Sequence, residues 1–156
     1  MVFHTWFNLL RHPHTCNRSG EVCYDKNMSK IKKKETFKSP FLDERERLFE
    51  NEMSFVIFDK YPVSNGHCLI VPHRIYTDYF ESTDEEIVAL NQLLVKTKEY
   101  LDTKYKPTGY NIGINVGEDG GQTISHLHIH IIPRYKGDVE NPRGGIRNII
   151  PGMGDY

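Results

Sequence analysis

The chain of 156 residues is poor in cysteine, in long apolar runs and in surplus charge, and each shortage excludes a class of protein. Three cysteines are too few, and odd in number, for a disulfide framework, so we expect a reducing, cytoplasmic location. No apolar run approaches the roughly 20 residues of a membrane span. Twenty Lys and Arg against 21 Asp and Glu leave a net charge of −1, which argues against a dedicated duplex-DNA binder. An ordinary globular domain remains, with neither a nucleic-acid nor a membrane partner expected.

The small net charge is unevenly distributed along the chain. Residues 1–40 hold eight Lys and Arg against three Asp and Glu, including the basic run 30–34. We therefore predict a poorly ordered basic extension over residues 1–39 and one domain with a C-terminal tail over 40–156. Met28 opens a plausible shorter chain. A metal-binding cluster in the extension is disfavoured because the spacing fits no common zinc finger: His12, His14, Cys16 and Cys23.

Periodicity from Pro40 onward predicts an α+β fold. The charged stretch 43–50 suggests a short helix, and strand formers fill 53–59 and 67–71 on either side of an Asn65-Gly66 turn, the signature of a hairpin. One long helix should begin at Ser82 or Thr83 with a capping box and end before Pro107. Two further strands are predicted over 110–116 and 124–133, with no internal repeat.

The last predicted strand carries the most informative pattern in the chain. His126, His128 and His130 alternate with apolar residues, and successive side chains of a strand point to opposite faces. The three imidazoles should therefore share one face at intervals of about 6.5–7 Å. Such a row leaves buried ring nitrogens that need partners, which disfavours a purely structural role. Metal binding and nucleophilic catalysis both remain open, since imidazole is a common zinc ligand and is largely neutral at pH 7.

The segment before the histidines favours catalysis on a phosphate. A glycine-rich loop over 117–121 exposes backbone N–H groups that suit phosphate oxygens. Gln122, Thr123 and Ser125 add uncharged hydrogen-bonding groups. The combination predicts a phosphate held beside a histidine nucleophile, and no dedicated metal site.

These residues resemble the histidine triad, or HIT, family, whose motif alternates three histidines with apolar residues and ends in two apolar residues. Residues 126–132 fit every position, and the likeness continues through the hairpin 54–72 and the approach 115–122. The resemblance implies an antiparallel sheet of about five strands crossed by one long helix, and a homodimer that joins two sheets.

The resemblance also implies a mechanism and assigns roles. His128 would attack the α-phosphate of a nucleotide, and water would hydrolyse the nucleotidyl-histidine to release a nucleoside monophosphate. His126 would orient His128, His130 would contact phosphate and pass a proton, and His67 would support them. The remaining residues implied to hold the nucleotide are Asp59, for the ribose, and Asn115, Gln122, Thr123 and Ser125, for the phosphates.

The residues after the triad narrow the branch. His130 stands where transferase branches carry glutamine, and Pro133-Arg134 is similar to the dinucleoside polyphosphate hydrolase (Fhit-like) branch. Arg143 and Arg147 are candidates for holding the distal phosphates of Ap4A-like or Ap3A-like substrates. We expect no cofactor bound by the protein, with Mg²⁺ entering at most as a complex with the substrate. The alternatives are a hydrolase of nucleoside phosphoramidates or AMP conjugates, and a zinc-binding or nucleotide-binding module without catalysis.

Overall fold

The computed structural model of the protein describes residues 37–151 and Gly154. Most of the predicted basic extension, with Met28, the run 30–34 and the His/Cys cluster, lies outside the described residues. The elements in chain order are β1 (Phe49–Glu50), β2 (Ser54–Phe58), β3 (Cys68–Pro72), a 3₁₀ turn (Tyr79–Glu81), α1 (Asp84–Tyr105), β4 (Gly109–Gly113), β5 (Ile129–Arg134) and a second 3₁₀ turn (Gly145–Ile149).

The five strands form one antiparallel sheet in the order β1-β2-β3-β5-β4. This confirms the predicted α+β fold of about five strands with one long helix. The predicted hairpin is β2–β3, in which Phe58 pairs with Cys68. Gly66 ends its turn with φ of 83°, and a Cβ there would lie 3.0 Å from the side chain of Leu101. Backbone conformation and helix packing therefore both require glycine.

Helix α1 begins and ends where the sequence signals predict. The Thr83 hydroxyl accepts the N–H of Glu86 at 3.3 Å, and the Glu86 carboxylate accepts the N–H of Thr83 at 2.9 Å, which completes a capping box. At the other end Lys106 has a left-handed φ of 52° immediately before Pro107. In the described residues, no helix has the length and apolar content that crossing a membrane requires.

The two faces of the sheet are covered differently. Leu127, Ile129 and Ile131 pack with Leu90 and Leu101 in a core beneath α1. The opposite face, which we call the histidine face, carries a smaller apolar cluster formed by Phe41, Phe55, Ile57, Leu69 and Val71. The alternation predicted around the triad is therefore realised: the apolar members support the helix and leave the opposite face to the histidines.

Three element boundaries differ from the prediction. Residues 43–50 form no helix, because Leu48 donates its N–H to Val56 and Phe49 pairs with β2 at the sheet edge. β5 begins only at Ile129, since Leu127 donates its N–H to the carbonyl of Tyr76 in a loop rather than to a neighbouring strand. β4 ends at Gly113 instead of continuing to residue 116.

Candidate active site

His126 is fully buried and has partners at both ring nitrogens. Its Nε2 lies 2.9 Å from the carbonyl oxygen of Pro72 and 3.2 Å from that of Arg74, so Nε2 carries the proton and donates. The Ser39 hydroxyl, 2.6 Å away, then donates to Nδ1. Burial lowers the pKa of His126, with the two carbonyl bonds opposing it. The ring is therefore a neutral anchor with no nitrogen left to bind a ligand.

His128 is held in a complementary way through its own backbone neighbour. Its Nδ1 donates to the carbonyl oxygen of His126 at 2.9 Å, which fixes the proton on Nδ1. Phe41 packs on the ring with centroids 5.0 Å apart. The ring lines a cleft, and its unprotonated Nε2 has no hydrogen-bond partner in the described part of the chain. An oriented imidazole with an available lone pair is what nucleophilic attack requires.

His67 and His130 form a hydrogen-bonded pair beside this ring. His67, just before β3, accepts the N–H of Val63 at Nδ1 (3.3 Å), so its Nε2–H donates to His130 Nδ1 at 3.0 Å. His130 consequently carries its own proton on Nε2. Burial lowers the pKa of His67 against the opposing charge of Asp59, and burial together with the neighbouring His128 and His67 lowers the pKa of His130 to about 4. Both rings are neutral at pH 7.

The His128 and His130 rings lie with centroids 5.0 Å apart, less than the spacing that strand rise alone predicts, because the side chains lean together. They border a cleft of about 350 Å³ on the histidine face, within the range of small-ligand sites. Phe41, Leu69 and Ile124 form its apolar walls. The described cleft is large and apolar enough to accept a nucleoside beside the histidines.

The polar lining of this cleft includes two of the residues predicted to hold a nucleotide. Asp59 and Thr123 both line it. One carboxylate oxygen of Asp59 accepts the N–H of Tyr61 at 2.8 Å, and the other lies 3.5 Å from His67 Nδ1. Arg45 and Lys60 add positive charge at the rim. The carboxylate is thus positioned to accept further hydrogen bonds inside the cleft.

The other predicted binding residues do not line the cleft. The Gln122 amide braces the glycine-rich loop, accepting the N–H of Gly117 at 3.0 Å and donating to the Thr77 carbonyl at 2.8 Å. Asn115 lies half-buried two residues beyond β4, and Ser125 is exposed. Arg147 lies within the second 3₁₀ turn, which contacts β4, and Arg143 lies two residues before that turn. Their roles toward a ligand stay predictions.

Sequence reasoning missed Ser39 and Phe41. Ser39 was placed in the basic extension, yet it is fully buried and bonds the first triad histidine. Phe41 contacts the rings of His126 and His128 at 5.9 and 5.0 Å. In the sequence these two residues are marked only by their position at the end of the basic segment. A single Ser or Phe at such a position does not indicate contact with a distant histidine.

The zinc alternative proposed for the three histidines is disfavoured, because both nitrogens of His126 are bonded within the protein. Among the described residues, the groups that could hold a cation together are instead Asp59, His67 and His130, whose ligand atoms all lie within 4.8 Å of one another. However, His67 Nε2 and His130 Nδ1 face each other in a hydrogen bond, whereas metal ligands direct their lone pairs at a common point.

Comparison with known proteins identifies the family. The model of the HIT domain matches residues 43–137. The chain is 36% identical over 107 residues to a bis(5'-adenosyl)-triphosphatase of Dictyostelium discoideum, covering 68% of this chain and 72% of that protein. This chain belongs to the HIT domain family. It is also similar in structure to a HIT family protein from Bacillus anthracis, with a TM-score of 0.57 and 32% identity over 59% of this chain and 65% of that one.

The extent of the likeness varies among relatives. The chain is 33% identical over 87 residues to an uncharacterized 16.1 kDa HIT-like protein of Mycoplasma pneumoniae, covering 56% of this chain but only 60% of that protein. The shared part is the HIT domain itself, and the family fold predicted from the sequence is confirmed.

Proposed function

We propose that the protein is a nucleotide hydrolase that cleaves dinucleoside polyphosphates of the Ap4A or Ap3A type at the α-phosphate. The single observation that carries the proposal is the hydrogen bond from His128 Nδ1 to the carbonyl of His126, which leaves Nε2 as an oriented nucleophile at a nucleoside-sized cleft. The similarity to the bis(5'-adenosyl)-triphosphatase of Dictyostelium discoideum supports the same substrate class.

In the proposed reaction, the Nε2 lone pair of His128 attacks the α-phosphorus, and the bond from phosphorus to the bridging oxygen breaks with its electron pair. The ring keeps its Nδ1 proton, so the nucleotidyl-imidazolium is positively charged and is stabilised by the carbonyl of His126. Water then attacks phosphorus and loses a proton to the solvent, while the bond from phosphorus to Nε2 breaks and returns its electron pair to the ring, which restores neutral His128 and releases AMP. The anchored ring of His126 supports this sequence because it fixes the position of that carbonyl.

The protonation state of His130 favours a polyphosphate over an amine leaving group. With a pKa of about 4, His130 is neutral at pH 7 and can donate a hydrogen bond from Nε2 without being a strong acid. A nucleoside polyphosphate departs as a stable anion with hydrogen bonding alone, whereas an amine must be protonated. Phosphoramidates and AMP conjugates are therefore the secondary candidates.

The other assignments follow from this chemistry and remain part of the proposal. Asp59 would accept hydrogen bonds from the ribose hydroxyls, and Thr123 would contact the α-phosphate. The groups assigned to the remaining phosphates are Asn115, Gln122, Ser125, Arg143 and Arg147. Mg²⁺ would enter as a substrate complex, the working enzyme would be a homodimer, and the cytoplasmic location stays a prediction.

A substrate panel tests the proposal. Full-length protein is incubated with Ap3A, Ap4A, ATP, AMP-lysine and adenosine phosphoramidate, and the products are resolved by chromatography. We expect AMP with ADP from Ap3A and AMP with ATP from Ap4A, and a loss of turnover of about 10³-fold or more in His128→Asn with AMP binding retained. Unchanged turnover in that variant would exclude His128 as the nucleophile. If the purified protein holds stoichiometric zinc, and a chelator removes both the zinc and the activity, a metal-dependent reaction would be favoured instead.

A further inference from the structure

A second cavity lies on the histidine face, next to the His67–His130 pair. It measures about 410 Å³ and includes Ile132, which follows His130 by two residues and so shares its side of β5. Asn111, the β4 partner of Ile132, forms one wall. The opposite wall is the loop 63–65, whose first residue, Val63, donates its N–H to the ring of His67.

A row of residues on the histidine face connects the first cleft with this cavity. In a phosphoryl transfer the attacking and leaving atoms lie roughly in line with phosphorus. The residues on the histidine face follow in the order His128, just before β5, and then His130 and Ile132 within it. Leu69, which lines the first cleft, lies on β3 directly opposite His130 and so to one side of this row. A leaving group that extends along this row from His128 passes His130 and reaches Ile132.

The walls of the second cavity suit an uncharged ring system better than a phosphate. Arg134 is neutralised by Asp138, with contacts of 2.7 and 2.9 Å, and also donates to Asn111. The apolar lining is supplied by Ile132, Val139 and the ring of Tyr135. Tyr135 donates its hydroxyl to the carbonyl of Asn65 at 2.8 Å, which ties the loop to the end of β5.

Polar groups are also available at this site to recognise the edge of a base or a ribose. Asn65 and Asn111, whose side chains carry amide groups, both line the cavity. Apolar walls with a few convergent polar groups, in a space of this size, are typical of small-molecule sites.

We infer that this second cavity binds the nucleoside of the leaving group, that is, the second nucleoside of a dinucleoside polyphosphate. The inference rests on the proposed function, since it requires attack at the α-phosphate by His128. The specificity-determining surface is formed by Ile132 and Val139, which distinguish a substrate that ends in a nucleoside from one that ends in a phosphate.

A pair of ligands that differ only in the second nucleoside tests this inference. Affinities for Ap4A and for adenosine 5'-tetraphosphate are measured by calorimetry in full-length His128→Asn, in which turnover does not interfere. We expect Ap4A to bind about tenfold more tightly, and this advantage to fall to about onefold when Val139→Asp or Ile132→Ala is added. Val95→Asp, on an exposed position of α1, is the matched control and should keep the full advantage.

The outcomes separate this inference from the proposed function. The second nucleoside site would be overturned if Ap4A and the tetraphosphate bound with equal affinity, or if Ap4A still bound more tightly in both cavity variants. In either case AMP binding would still support the first cleft. Failure of His128→Asn to bind AMP, Ap4A and the tetraphosphate at all would instead overturn the proposed function. AMP affinity measured in each variant shows that the fold and the first cleft are intact.

Discussion

At the scale of single residues, the three histidines of one short motif have different protonation constraints because each ring meets different partners. His126 bonds carbonyls and a hydroxyl, His128 bonds a carbonyl through one nitrogen only, and His130 accepts from another imidazole. The same residue type is thereby suited to three roles: His126 as an anchor, His128 as the proposed nucleophile and His130 as a hydrogen-bond donor. The tautomer of each ring follows from its fixed partner rather than from pH.

Ser39 donates to the buried Nδ1 of His126, and its removal should be costly. In Ser39→Ala the buried Nδ1 of His126 loses its only donor, so we expect the free energy of unfolding to fall by about 1–3 kcal/mol. Because the carbonyl of His126 holds His128, kcat should fall by about tenfold or more with little change in KM. Urea denaturation and steady-state kinetics measure the two effects.

Thr103→Ala is a suitable control, since it removes an exposed hydroxyl from α1 far along the chain from the triad. A Ser39→Ala protein as stable and as active as this control would contradict the anchoring role. A change in KM alone would indicate that Ser39 affects substrate binding instead.

The lowered pKa of His130 makes folding stability depend on pH. A histidine in the unfolded chain titrates near 6.5, whereas burial lowers the pKa of His130 to about 4. Between these values the unfolded chain binds a proton that the folded chain does not, so acidification favours unfolding. Above about pH 7 the residue is neutral in both states and no longer lowers the free energy of unfolding. We expect a loss of about 2 kcal/mol between pH 7.5 and pH 5 from this residue.

Denaturation at a series of pH values measures this loss. His67 and His126, whose pKa values are also lowered by burial, act in the same direction and should leave a residual slope. His130→Asn should therefore reduce the pH dependence without abolishing it. The same slope in His130→Asn and in the unaltered protein would show that His130 is not buried in its neutral form.

At the scale of elements, local signals predicted the hairpin and the helix well because those elements are specified by neighbouring residues. The Asn65-Gly66 turn and the Thr83 capping box each act within four residues, and both appear in the structure. The alternation around the triad likewise assigned the apolar residues to the helix side of the sheet. A short-range pattern is sufficient for each of these features.

What failed, or was missed, depends on contacts between distant segments. The charged stretch before β2 pairs with the sheet edge instead of forming a helix. Ser39 lies 87 residues from His126 in sequence, and the carbonyls of Pro72 and Arg74 lie more than 50 residues from it. The pattern of His126 could not reveal these partners, because only the folded register of β3 against β5 brings them together.

At the scale of the whole molecule, the β4 edge of the sheet is suited to pairing with a second copy of the chain. No strand among the described residues pairs with the outer side of β4. Beside it, Ile112 is 44% exposed and lines an apolar groove of about 310 Å³ together with Ile87 and Leu94 of α1. Unpaired backbone groups next to exposed apolar side chains favour strand pairing with another chain.

Homodimer formation through this edge can be tested by placing a charge in the groove. Light scattering during size-exclusion chromatography should give about twice the chain mass of 18.2 kDa for the unaltered protein and the single-chain mass for Ile112→Lys. Met53→Lys is the matched control, because Met53 is 37% exposed beside β2 on the far side of the sheet and should leave the dimer intact. A dimer that survives Ile112→Lys must use another surface, and an unaltered protein that stays monomeric would exclude any dimer at the concentration tested.

The same variant can also be tested for substrate affinity, because β4 contributes Asn111 to the second cavity. If the monomeric variant binds Ap4A more weakly, dimer formation at the β4 edge supports the second cavity.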